Sequence, residues 1–189
     1  MKYILEEINY FFIFIITNMP GRTGVYIRRF YLKLVLKEVG KNLYTESGIV
    51  ITGHKNIILK DNVRIMRHSS INADGGSVEL GNNISLNYNV NINCSGGGNI
   101  FMGDNVLIGQ NTVIRSADHK YSKNIQINKS GHISGDIKIK NNVWIGANCV
   151  ILKNVIIEDN CVIGANSTIT KNIEQNKVVV GVDKIIKEI

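Results

Sequence analysis

The sequence predicts an all-β chain built as a parallel β-helix of triangular section, preceded by an N-terminal helical segment. Three observations predict it: an aliphatic residue every six positions, an asparagine at a fixed place in each period, and 32 isoleucines and 25 asparagines beside a single proline in 189 residues. Isoleucine suits the pleated, half-buried environment of a strand, and asparagine tolerates the left-handed conformation of a tight turn. With 44% hydrophobic and 20% charged residues, the chain fits neither a disordered segment nor a coiled coil. Its length suits one domain with a short appendage.

Residues 1–40 differ in texture from the rest. The apolar run from Tyr10 to Thr17 covers eight positions, well short of the roughly twenty that span a bilayer. Glu6 and Glu7 precede it and Asn18-Met19-Pro20-Gly21 follows, unlike a secretory signal, so the expected location is cytoplasmic. After the Pro-Gly break, Val25 to Val39 reads as an amphipathic helix, with Val25, Phe30, Leu32, Leu34 and Leu36 set among Arg28, Arg29, Lys33 and Lys37. Two readings stand: a cap docked on the main domain, or a peripheral contact of residues 1–39 with the anionic inner face of a membrane.

Residues 41–175 carry the repeat. Aliphatic residues recur at Ile139, Ile145, Ile151, Ile157, Ile163 and Ile169, each followed three positions later by an asparagine: Asn142, Asn148, Asn154, Asn160, Asn166 and Asn172. The frame extends backward in threes: Met102, Ile108, Ile114; Leu80, Leu86, Ile92; Leu59, Ile65, Ile71. Spacing widens only between groups, so three hexapeptides make one coil. The aliphatic residue points into the prism, a small or branched residue four positions on (Val143, Cys149, Val155, Cys161, Ser167) fills the space beside it, and asparagine turns the corner. Five coils can be counted, with a less regular opening turn around Ile49 to Lys55. Insertions after each third hexapeptide emerge at one corner, and the longest, residues 115–136, is the expected seat of function. Residues 176–189 form a C-terminal tail.

Charge and cysteine content narrow the function. A net charge of +7 and a pI near 9.3 fit nucleic acid, an anionic surface or a small polyanionic ligand. No basic run with interleaved aromatics and no zinc-finger spacing supports nucleic acid, which is therefore set aside. Cys94, Cys149 and Cys161 are too few for a disulfide framework, so a reducing compartment is expected. No nucleophile elbow, Ser-His-Asp spacing, phosphate loop or metal-ligand cluster occurs. Of the four histidines, His54 and His68 read as structural, whereas His119 opens the long insertion in Ala117-Asp118-His119-Lys120 and His132 lies in the same loop as its competitor. A base without a partner nucleophile suits direct transfer to a bound hydroxyl or amine. Asp118 reads as a loop cap rather than as a group that orients His119.

The tract Gly103-Asp104-Asn105-Val106-Leu107-Ile108-Gly109, then His119, then Asn141-Asn142-Val143-Trp144-Ile145-Gly146-Ala147, then Ile163-Gly164-Ala165 with Thr170-Lys171, resembles the hexapeptide-repeat acyltransferases. Within them it most resembles the galactoside/maltose O-acetyltransferases and the sugar O-acetyltransferases of surface polysaccharides. The resemblance implies a left-handed β-helix, a homotrimer, and acetyl-CoA bound between neighbouring subunits, with no metal. It puts His119 on the catalytic histidine, and Ala147 where a backbone amide meets the thioester oxygen. Trp144, Gly146, Ala147, Ala165, Thr170 and Lys171 fall along the coenzyme path. Lys184 and Lys187 join Lys171 as candidate phosphate contacts, and Asn87 lies near an acceptor-binding asparagine. The family's Gly-x-Pro-x-(Arg or Lys) ending appears here as Gly181-Val182-Asp183-Lys184, without the proline.

These residues imply an acetyl-CoA-dependent O-acetyltransferase acting on a free, nucleotide-linked or lipid-linked sugar of a surface polysaccharide. N-acetylation of an amino sugar is the alternative. A non-catalytic or metal-binding β-helix scaffold is the remote one, because the four histidines are not at coil-related spacings.

Overall fold

All fifteen inward positions of the six-residue frame from Leu59 to Ile169 are buried, each 2% exposed or less. The computed structural model describes residues 2–123 and 125–188. Three parallel sheets form the sides of a prism, each pairing a strand with the strand one coil away. Leu59, Leu80, Met102, Ile139 and Ile157 stack on the first face. Ile65, Leu86, Ile108, Ile145 and Ile163 stack on the second, and Ile71, Ile92, Ile114, Ile151 and Ile169 on the third. Each coil thus buries the aliphatic row its neighbour leaves open, which a single coil cannot do. Val143, Cys149, Val155, Cys161 and Ser167 fill the second inward row as expected.

The solenoid has about six coils, one more than the period alone reveals. The opening coil runs from Glu38–Val39 through Tyr44–Thr45 to Val50–Thr52. The frame is obscured there because Thr45 occupies an aliphatic slot: it is fully buried and pairs with Ile65. At the other end, Lys177–Val180 continues the second face, and Lys184–Glu188 folds back on it as an antiparallel edge strand.

Asparagines turn two of the three corners. After the first face, Asn42, Asn62, Asn83, Asn105, Asn142 and Asn160 have φ between 54° and 62°, and side-chain amides bond from coil to coil, as from Asn142 to Asn160 at 2.8 Å. The corner after the second face stacks Asn89, Asn111, Asn148 and Asn166 in the same conformation, and His68 occupies this column at φ 62°, directly over Gly48. Its structural reading therefore holds. Asn154 is left-handed at the third corner, but Asn172 is not. Ile173, four residues after Ile169 rather than six, stacks on Ile157, which shortens this corner, and Asn172 Oδ1 instead accepts the Ile156 N–H at 2.8 Å.

Helix α1 spans Lys2–Asn18 and helix α2 spans Gly21–Val35. Helix α2 thus starts and stops four residues earlier than the pattern of apolar residues indicates, since Glu38 and Val39 already pair in the first sheet. Its buried stripe is Gly24, Arg28 and Leu32 rather than the expected apolar set, and Phe30 and Leu34 face outward. A Cβ on Gly24 would lie 2.0 Å from the Met19 carbonyl oxygen, so only glycine lets the interhelical turn close here. No helix among the described residues is long and apolar enough to cross a membrane.

Candidate functional site

The third corner carries the insertions, and the longest forms a two-stranded antiparallel ribbon between the fourth and fifth coils. Ala117–His119 pairs with His132–Ser134, with His119 opposite His132. The ribbon is rooted in the solenoid: Ser116 Oγ donates to the Gly97 carbonyl at 2.6 Å, and Gly135 N–H donates to the Ser116 carbonyl at 2.9 Å. Across the ribbon the imidazoles of His119 and His132 stand 4.4 Å apart between centroids, tilted by 38°. A Cβ on Gly96 would come within 3.2 Å of the His132 ring, so this glycine leaves room for the ring against the preceding coil's loop.

Strand alternation puts Asp118 on the opposite side of the ribbon from His119. There its Oδ2 accepts from Lys153 Nζ at 2.5 Å, binding the ribbon to the next corner of the solenoid. Asp118 thus makes an ion pair with Lys153 rather than the loop cap read from the sequence, and does not contact His119. A cleft of about 410 Å³ opens on this side, bordered by Asp118, His119, Tyr121, Ile125, Ile133 and Lys153. The His119 side chain is exposed on a ribbon fixed at its root, the access that a general base requires. Sequence reasoning missed Lys153, whose signal is only its place in the third-corner turn that follows Ile151.

The remaining candidates occupy other parts of the prism. Trp144 projects from the second face, exposed, in line with Leu107 and Val162. Beside this row a shallow cleft of about 370 Å³ runs between the second face and its first-corner asparagines. Gly146, Ala147 and Ala165 form the corner after the second face. Gly146 is closed in, its N–H donating to Ile163 and its carbonyl accepting from Thr112 Oγ1 at 2.9 Å. Among the described residues the N–H groups of Ala147 and Ala165 donate no hydrogen bond, whereas the matching N–H groups of the first corner are taken by Asp61, Asn82, Asp104, Asn141 and Asp159. A ladder of small residues with free amides fits an amide-bearing chain such as pantetheine.

Lys184 and Lys187 lie exposed on the final strand of that same second face. Thr170 and Lys171 belong to the third corner instead. Both donors of Thr170 are taken by Asp183: its N–H donates to Oδ1 at 2.7 Å and its hydroxyl to Oδ2. Asp183 itself is left-handed at φ 50°, a conformation closed to the proline of the family ending. Asn87 lies at the second corner with its Oδ1 on the Tyr88 N–H at 2.8 Å. Within one chain neither Asn87 nor Ala147 meets His119, because a whole side of the prism separates their corners.

The fold and corner ribbon define a hexapeptide-repeat β-solenoid. Residues 136–171 match the family model described as bacterial transferase hexapeptide (six repeats). Among solved structures, the chain is similar to a mutant of AntD, an N-acyltransferase from Bacillus cereus in complex with dTDP and coenzyme A, at 25% identity and TM-score 0.75, over 85% of this chain and 88% of that one. It is also similar to a maltose O-acetyltransferase from Clostridium difficile 630, at 26% identity and TM-score 0.64, over 93% and 82% of the two chains. No curated protein matches it in sequence. The chain thus carries bacterial transferase hexapeptide repeats and is similar in fold to hexapeptide-repeat acyltransferases.

Proposed function

We propose that the chain is an acetyl-CoA-dependent O-acetyltransferase that acetylates a sugar hydroxyl in surface-polysaccharide assembly and works as a homotrimer. The observation that carries this reading is the division of the candidate groups between two corners: an exposed His119 on a fixed ribbon at one, and the free amides of Ala147 and Ala165 at another. The proposed homotrimer would set the His119 corner of one chain against the Ala147 corner of its neighbour, since a single chain keeps them apart. In the reaction, His119 takes the acceptor hydroxyl proton as the oxygen attacks the thioester carbonyl carbon, and the Ala147 amide stabilises the oxyanion. The carbon–sulfur bond then breaks, and the proton passes from His119 to the departing thiolate, leaving an O-acetyl sugar and coenzyme A. Trp144 and Gly146 flank the coenzyme arm, Lys171, Lys184 and Lys187 supply cations for its phosphates, and Asn87 contacts the acceptor.

A second acceptor is the amine of a nucleotide-linked amino sugar, favoured by the likeness to AntD, whose complexes include dTDP-4-amino-4,6-dideoxyglucose. The test is thiol release from acetyl-CoA with panels of sugars, nucleotide sugars and amino sugars, followed by mass analysis of the product. Hydroxyl acetylation supports the first reading and amide formation the second; no release with any member overturns both.

A further inference from the structure

A third cleft, of about 470 Å³, lies at the N-terminal end of the solenoid, where α2 begins against the first two coils. Pro20, Gly21, Arg22 and Val25 line it on one side, and Tyr44, Glu46, Ser47 and Arg67 on the other, with Arg28 between them. Arg28 is only 2% exposed, yet its guanidinium meets no carboxylate among the described residues. Its nitrogens donate to the carbonyls of Met19 at 2.5 Å and Thr45 at 2.9 Å and, more weakly, to Thr45 Oγ1 and the Ile16 carbonyl. Burial lowers its pKa, but a guanidinium keeps its proton at neutral pH. A buried cation without a counter-ion is costly, and carbonyl dipoles offset only part of that cost.

The surroundings add positive charge rather than cancel it. Three arginines face one carboxylate, Glu46, which is engaged by Arg67 Nε at 3.0 Å. Helix α2 presents its N-terminus here with no side-chain cap and no acidic residue in its first turn, so its unpaired N–H groups and dipole point the same way. Tyr44 and Tyr88 hold the guanidiniums of Arg64 and Arg67 by stacking, at 5.4 and 5.7 Å from the ring centroids.

We propose that this cleft binds the phosphate or diphosphate group of a phosphorylated ligand, with Arg22, Arg67 and the α2 N-terminus as its cradle and the charge of buried Arg28 behind them. Two sources share that chemistry. One is the diphosphate of a nucleotide-linked sugar, which rests on the acceptor class proposed above. The other is an anionic lipid headgroup, for which α1 would supply apolar contact: Phe11, Phe12 and Phe14 are exposed on it, and Met19–Pro20 joins it to the cleft.

The test is calorimetric titration of the full chain with inorganic pyrophosphate and with dTDP, in excess coenzyme A to occupy the coenzyme's own phosphate contacts. Flotation with phosphatidylglycerol-containing vesicles against pure phosphatidylcholine runs alongside. The double variant Arg22→Gln/Arg67→Gln, whose side chains lie at the cleft mouth, is expected to bind the anion at least about tenfold more weakly, since one charge-assisted hydrogen bond is worth about that factor. Its coenzyme A affinity should be unchanged. Binding of pyrophosphate and dTDP assigns the site to a soluble phosphate; retention by anionic vesicles alone assigns it to a headgroup. Absence of all three, or equal binding by the double variant, overturns the site. Because binding is the readout, a chain inactive in acetyl transfer would leave this proposal standing.

Discussion

Lys153 reaches across from the corner between the fifth and sixth coils to close an ion pair with Asp118, the residue directly before His119, at 2.5 Å. Both side chains are partly exposed, so the pair adds at most about 1 kcal/mol to stability. Its consequence is geometric, because it holds the ribbon that presents the imidazole. Lys153→Met should leave the melting temperature within a few degrees of wild type while lowering kcat about tenfold with little change in the KM for acetyl-CoA. Lys153→Arg should restore most of the rate. Equal rates for Met and Arg at this position would show that the ion pair does not position the ribbon.

His119→Ala should lower turnover by at least about a hundredfold, the lower end of what a positioned general base contributes, with unchanged affinity for coenzyme A. His132→Ala should cost much less, since His132 supports the ring of His119 and takes no proton in the proposed reaction. Steady-state kinetics beside coenzyme A titrations separate the two roles. If His132→Ala carried the larger loss, the base would be His132.

Most of the solenoid is legible in the sequence because its period is a direct image of its geometry: one aliphatic residue per side, one turn residue per corner. Legibility ends where a residue serves a neighbour outside its own coil. Thr45 hides the first coil because its slot also receives Arg28. The buried stripe of α2 escapes an apolar pattern because an arginine lies at its centre. In the site, His119 stands out because it opens the longest insertion, whereas Lys153 carries no motif and matters only through a contact 35 residues away in the chain. The separation of Ala147 and Asn87 from His119 is a property of corners in space, which the period numbers but does not place.

The corner asparagines make a stability prediction with its own internal control. Asn148 has φ 57°, bonds to Asn166 Oδ1 at 3.2 Å, and accepts from Asn111 at 3.0 Å. Alanine there keeps the left-handed strain and loses both side-chain bonds, so Asn148→Ala should destabilise by about 1–3 kcal/mol. Asn148→Gly relieves the backbone strain and should cost less in folded-state terms. Denaturant melts of the three proteins give the order; alanine tolerated better than glycine would contradict it.

The three thiols make the last prediction. Cys94, Cys149 and Cys161 are fully buried in the core, and burial raises the pKa of each, that of Cys94 to about 11. Native protein should therefore react negligibly with a thiol-selective disulfide reagent at neutral pH, while protein unfolded in denaturant should release three equivalents. The same shift sets a pH dependence. Above pH 9 an unfolded Cys94 loses its proton while the folded one keeps it, so the folded state binds more protons and stability falls as pH rises. The contribution of Cys94 is intact below about pH 9 and should decline by up to about 2 kcal/mol by pH 11. Denaturant melts of wild type and Cys94→Ala across that window isolate it: the variant will be less stable at neutral pH for lack of packing, and the gap should narrow as pH rises. A constant gap would mean that the buried thiol ionises no differently in the two states.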